Sequence, residues 1–223
     1  MADNKKKLKK KPQDPNENNT GTELDILKKI ERAWKKNNPN EQKRNTAKSL
    51  DWFRKYVVKS FNNVRTSVMV RDRKLWKQKM TLGRMYFFEY DAKHKDTLPI
   101  WDRYPLVFPF STYQSKDGVQ IIVGLNMHYL KPKLRMIAFT SLLKFRSEKR
   151  YRKQTKLKLE WSMLKSMAEH PLFKHSVHAY RMDHVRSVFV EVPAQSWELA
   201  LFLPTARWVM KEGVTKSILD IKY

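Results

Sequence analysis

Two groups of residues in this 223-residue chain have types and spacing suited to chemistry on an anion. One is a run of cations, Lys144, Arg146, Lys149, Arg150, Arg152, Lys153 and Lys156, with Glu148 the only acid among them. The other is Arg71, Arg73, Lys74 and Lys77, flanked by Arg65 and Lys79 and opposed by Asp72 alone. Phosphate oxygens are held by flexible cations within reach of a backbone and demand no shaped pocket. These are therefore candidate phosphate contacts, centred on Lys149, Arg150, Arg152 and Lys153. Trp76 and Tyr151 are interleaved with them, but most aromatic residues of the chain have the spacing of a core, so base stacking is not expected. Patterns that mark sequence readers, such as a GxxG loop or a zinc finger, are absent. Contact with nucleic acid would follow charge and shape.

A second chemistry is conceivable at Asp91-Ala92-Lys93. A carboxylate two residues before a lysine at a strand end is a spacing found in metal-dependent nucleases, and Glu89, Asp96 or Asp102 could complete a Mg²⁺ site. Aspartates at strand ends are more often turn formers, so a catalytic constellation is not expected. His170, His175 and His178 lie close in sequence without the i, i+4 pairing of a zinc site. His128 ends an apolar run and reads as a buried hydrogen-bonding residue. With no cysteine, thiol catalysis, disulfides and Cys-based clusters are excluded. There is no Gly-rich phosphate loop and no G-x-S-x-G. No metal and no cofactor is expected.

The whole chain carries 47 Lys+Arg against 22 Asp+Glu, a net charge of +25. A chain that is 41% hydrophobic can still bury a core, so it is not a disordered polycation. Self-repulsion of this size is relieved by a polyanion or tolerated as solubilising charge. No apolar run approaches the ~18 residues of a membrane span, and the N-terminus lacks the apolar core of a signal peptide. No membrane partner is expected, and a reducing compartment fits.

The elements that must position these groups can be read in order. Residues 1–21, with Lys5 to Lys11, form a basic arm that cannot fold alone. Thr22 and Asp25 suit a capping box, and Leu24, Leu27, Ile30 and Trp34 form one stripe, predicting a helix over 22–36 that Asn37-Asn-Pro-Asn40 stops. A second helix is predicted over 46–61. Residues 84–130 balance five basic against five acidic residues, an electrically neutral block inside a basic protein. Tyr86, Phe88 and Tyr90 alternate with Met85 and Phe87, which predicts a strand covered on both faces. Pro105 and Pro109 predict that the next strand is an edge or bulged strand. Asp117-Gly118 turns it into Val119 to Leu125, completing a three-stranded meander. Pro132 opens a helix with Leu134, Ile137, Ala138, Leu142 and Phe145 inward. Another helix carries Leu157, Trp161, Leu164 and Ala168, a fourth strand falls within 185–192, and a short helix follows Pro193.

Three stretches then acquire a resemblance. They run from Tyr86 to Val107, from Gly124 to Arg135 (Gly-Leu-Asn-Met-His-Tyr-Leu-Lys-Pro-Lys-Leu-Arg), and from Trp197 to Pro204 (Trp-Glu-Leu-Ala-Leu-Phe-Leu-Pro). Together, over 83–204, they resemble a family of proteins from large contractile-tailed phages, described as DNA end protectors or head-completion proteins. Ala92 stands where proline is expected and Ile100 where an aromatic is expected. The resemblance implies a virion protein on the end of packaged duplex DNA, in contact with other virion proteins of the head, neck or tail. It would be found in the virion and, during assembly, in the host cytoplasm. By type, Leu98, Pro99, Tyr104, Pro105, Gly124 and Asn126 are turn and packing positions.

The expectation is an α+β fold: a basic arm (1–21), a helical region (22–83), an α+β core with a small antiparallel meander and flanking basic helices (84–204), and a tail (205–223). The function expected is non-enzymatic DNA end binding. The alternatives are a structural neck, tail or baseplate component whose charge meets acidic partners, and the metal-dependent nuclease.

Overall fold

A computed structural model describes residues 22–36, 38–54, 73–98 and 101–204. The basic arm, Arg71 and the tail after 204 lie outside these residues, as do positions 55–61 of the second predicted helix.

In chain order the elements are α1 (Glu23–Lys35), α2 (Pro39–Phe53), β1 (Trp76–Lys77), β2 (Met85–Phe87), β3 (Leu106–Gln114), β4 (Gln120–Asn126), α3 (Pro132–Ser147), α4 (Lys153–Glu169), α5 (Pro171–Lys174), β5 (Val177–Arg181), β6 (Phe189–Val192) and α6 (Trp197–Ala200). The fold is α+β. Its sheet has six antiparallel strands in the order β1-β6-β2-β3-β4-β5. The predicted meander is β2-β3-β4, and the predicted fourth strand is β6. It enters between β1 and β2, so the meander does not stand at the sheet's edge on that side.

Local chemistry accounts for the elements. Thr22 and Asp25 close a reciprocal capping box at the start of α1. Asn37-Asn-Pro-Asn40 does not merely end α1. Asn38 caps α2 through Oδ1, which accepts from the Glu41 N–H at 2.7 Å, and Pro39 takes the first helical position. The second helix therefore begins seven residues before the predicted Thr46. Gly118 adopts φ +78° in the β3–β4 turn.

The two faces of β2 part as their alternation predicted. Met85 and Phe87 join a large core with Leu106, Phe108 and Leu125, packed beneath α1, α2, α3, α4 and α6. Tyr86, Phe88 and Tyr90 face the other way, into a smaller cluster with Val107, Tyr180 and Phe189. Its rings meet edge to face, Phe88 with Tyr180 at 5.4 Å and Tyr90 with Tyr180 at 5.1 Å, contacts worth about 0.5–1.5 kcal/mol each beyond burial.

β3 is bulged but is not an edge: it lies between β2 and β4, with the register slipping between Pro109 and Ser111. The bulge turns the Pro109 and Phe110 carbonyls out of the ladder. Gly83 N–H donates to the first at 3.0 Å and Trp161 Nε1 to the second at 2.7 Å. A strand irregularity thus docks both a loop and α4.

The stripe of α3 differs from the predicted one. Leu134, Ala138 and Leu142 are buried as expected, but the second row is Arg135, Phe139 and Leu143, while Ile137 is 38% exposed. Arg135 draws this row inward. Its guanidinium is fully buried and donates to the Met127 carbonyl (2.7 Å) and to the carbonyls of Ala200, Leu201 and Leu203. A cation there satisfies carbonyls that α6 leaves open at its C-terminus. Burial pulls its pKa down to about 9, so it stays charged at neutral pH.

A second buried polar knot joins two of the resembling stretches. The Asp102 carboxylate accepts from Asn126 Nδ2 (3.0 Å) and the Tyr104 N–H (3.0 Å), and pairs with His128 Nδ1 at 2.6 Å. A Cβ at Gly124 would overlap the Val107 side chain and come within 2.7 Å of the Phe108 carbonyl oxygen. Only glycine lets β3 and β4 approach so closely.

Candidate nucleic-acid interface

The basic run of 144–158 forms the corner where α3 ends and α4 begins. Lys144, Lys149, Arg152 and Lys153 are exposed there without an ion pair among the described residues. Arg150 is 69% exposed, lies 3.5 Å from Glu148 and covers the Tyr151 ring at 4.9 Å. α4 opens with no side-chain cap and no acid in its first turn. Its first N–H groups therefore point into a field of cations, an arrangement that suits a phosphate group.

Not all of the run faces outward. Arg146 forms a two-pronged pair with Glu160 (2.7 and 3.2 Å), donates to the Gly83 carbonyl at 3.0 Å and lies 4.9 Å from the Trp197 ring centre. Glu160 is buried, 2% exposed, which turns α4 so that Leu157 and Trp161 stand at the surface instead of in the predicted inner stripe. Lys156 donates to the Arg146 carbonyl at 2.7 Å. These two cations hold the corner in shape; the open cations project from it. Trp161 carries Lys165 over its ring at 4.3 Å.

The second basic segment is placed less directly. Lys74 is exposed, Lys77 donates to the Lys74 carbonyl at 2.6 Å, and Arg73 begins a short 3-10 turn. Gly83, four residues beyond Lys79, accepts from Arg146 and so ties the chain that follows this segment to the corner.

A further basic site went unread in the sequence. A cleft of about 290 Å³ between α1 and α2 is lined by Lys29, Arg32 and Lys36 on one side and Arg44 and Lys48 on the other. Two carboxylates enter it. Glu41 takes Arg44 at 3.0 Å and Lys36 at 3.7 Å. The Glu198 carboxyl is pushed up by burial against the pull of Lys29 and Lys48. The signal was available, since cations three and four residues apart share a helix face.

The carboxylates of the nuclease reading are dispersed. Asp91 pairs with Lys95 (2.9 Å) and Arg186 (3.6 Å), not Lys93; Glu89 pairs with Arg103 at 2.7 Å; Asp102 sits in the buried knot. Lys95 and Arg186 hold the Asp91 carboxyl below its ordinary range. Among the described residues no three His, Asp or Glu side chains are placed to share a metal ion. The histidines also part: His170 caps α5, His175 Nε2 meets the Tyr129 carbonyl at 2.9 Å, and His128 packs edge-on against Phe53 at 5.3 Å. No helix among these residues is long and apolar enough to cross a membrane.

Against this geometry, comparison with known proteins gives one result. The family model described as phage T4 terminal DNA protecting protein matches residues 1–217, which extends the likeness beyond 83–204 to the N-terminal third and most of the tail. No curated protein and no solved structure matches the chain significantly.

Proposed function

The chain belongs to the phage T4 terminal DNA protecting protein family, and from this premise we propose that it binds the ends of packaged duplex DNA without cutting them. The observation that supports this reading is the α3–α4 corner. Lys149, Arg150, Arg152 and Lys153 surround an uncapped helix start and project from a frame held by Arg146 and Glu160. Such a surface neutralises backbone phosphates irrespective of sequence. Lys144, Lys74 and the cations of the α1–α2 cleft would extend the contact along the duplex. In the particle the protein would act when the head is completed, beside other virion proteins of the neck, with no metal and no cofactor.

The test is binding to a blunt linear duplex and to the same DNA as a closed circle, over a salt series with and without Mg²⁺. The expected result is salt-sensitive binding that favours the linear form and leaves the DNA intact. Reversal of Lys149, Arg150, Arg152 and Lys153 to glutamate should lower the salt slope by about 0.9 for each phosphate no longer neutralised. Unchanged affinity in that variant overturns the assignment of the corner. Weak binding to both DNA forms would point to a structural neck or tail part with acidic partners, and Mg²⁺-dependent cleavage to a nuclease.

A further inference from the structure

The sheet face away from the helices holds a cavity of about 290 Å³ that the phosphate contacts leave unused. That size is at the small end of ligand pockets, roughly 300–1,000 Å³. Its walls are aromatic, with Tyr90, Trp101, Tyr129 and Tyr180 around it, and the His178 ring lies 4.1 Å from that of Tyr129. Polar side chains line it as well. His178 Nε2 is buried without a hydrogen-bond partner, although the His175 backbone holds its ring. Tyr180 Oη accepts from Asn126 Nδ2 at 3.1 Å, and Tyr90 Oη accepts from the Arg181 N–H at 3.3 Å. Burial keeps both phenols protonated, so each still has a hydroxyl hydrogen to donate.

The mouth is charged more simply. Arg181 is engaged by Asp117 at 2.7 Å and Asp183 at 2.9 Å, whereas Lys93 and His94 are exposed and border the opening. A purely apolar guest would leave the two phenol hydrogens at the cavity without an acceptor, a costly outcome. A planar ring with donors and acceptors on its edge, carrying an anionic group toward Lys93, would satisfy walls, interior and mouth together. Those are the properties of a nucleotide.

We propose that this cavity receives the terminal nucleotide of a DNA end, its base against the tyrosines and Trp101 and its phosphate at Lys93 and His94. The proposal rests on the DNA-binding reading above and adds to it a means of telling an end from a duplex interior. An interior base must lose its pair and two stacking neighbours to enter, whereas a terminal base has one neighbour fewer and opens more readily.

The full chain would be titrated with a linear duplex bearing 2-aminopurine at its last position, with the same duplex bearing it centrally, and with free dAMP. The terminal probe should change its emission on binding and the central one should not. Lys93→Glu and Trp101→Ala should each reduce the preference for linear over circular DNA by roughly tenfold, the scale of one stacking or charge contact, while affinity for the circle is retained. Equal response of both probes, an end preference that survives both substitutions, or binding of dAMP without the DNA terminus would overturn the site alone. Failure of the wild-type chain to bind either DNA form at any salt would overturn the DNA-binding reading and the site with it.

Discussion

The two faces of the sheet are completed in different ways. On the helical face three polar intrusions are closed off: Arg135 by backbone carbonyls, Arg146 by Glu160 and Gly83, and the bulge carbonyls by Gly83 and Trp161. On the opposite face a smaller aromatic cluster borders a cavity, and a buried imidazole nitrogen there has no hydrogen-bond partner. The groups named on the helical face hold the fold, whereas the His178 nitrogen lies beside a cavity.

The comparison is broken most directly at Arg135. Arg135→Met should cost about 3–5 kcal/mol, because several buried carbonyls lose their donor at once, measured as a shift in the urea unfolding midpoint.

The next effect belongs to the other face and to pH. Burial holds His178 down to about 4, below its ordinary 6.5. Between those values the unfolded chain binds the proton more readily, so the stability is complete above about 6.5 and is lost as pH falls toward 4. The loss should be about 3 kcal/mol at most. His175 is lowered in the same direction, so His178→Phe should reduce this pH dependence without abolishing it.

Glu160→Gln is smaller again. It leaves a hydrogen-bonding side chain but removes the charge that faces Arg146, and should cost about 1–3 kcal/mol. Smallest of all, reversal of Lys149, Arg150, Arg152 and Lys153 should move stability by no more than about 0.5 kcal/mol, as read by thermal unfolding. A large loss there would mean that the open cations hold the fold as Arg146 does.

Much of this was legible in the sequence where a repeating pattern meets a burying surface. Alternation in 85–90 separated the two clusters correctly, and Thr22, Pro132 and Asp117-Gly118 marked their helix starts and turn. What escaped was set by partners far along the chain. β5 contains His178 and Arg181, types that do not suggest a strand, and its place comes from pairing with β4. β1 is only two residues long and exists because β6 lies beside it. Nothing local marks Arg135 for the interior; its acceptors are the carbonyls of Ala200, Leu201 and Leu203, far along the chain. In the candidate interface the density of charge was plain from the sequence, but its sorting was not. Glu160 captures Arg146 from fourteen residues away, and the cations of α1 and α2 meet only because two helices close on one cleft.

Arg135 also has a consequence for the order in which the chain folds. Its acceptors at Ala200, Leu201 and Leu203 lie 65 to 68 residues downstream. Until they arrive, sealing the inner side of α3 would bury the guanidinium with the Met127 carbonyl but without its other three acceptors, at a cost of several kcal/mol. Premature collapse of this helix is thus discouraged, and the final segment must dock in the same cooperative step. A chain ending before Ala200 should stall as a loosely packed intermediate rather than persist as a shortened native domain.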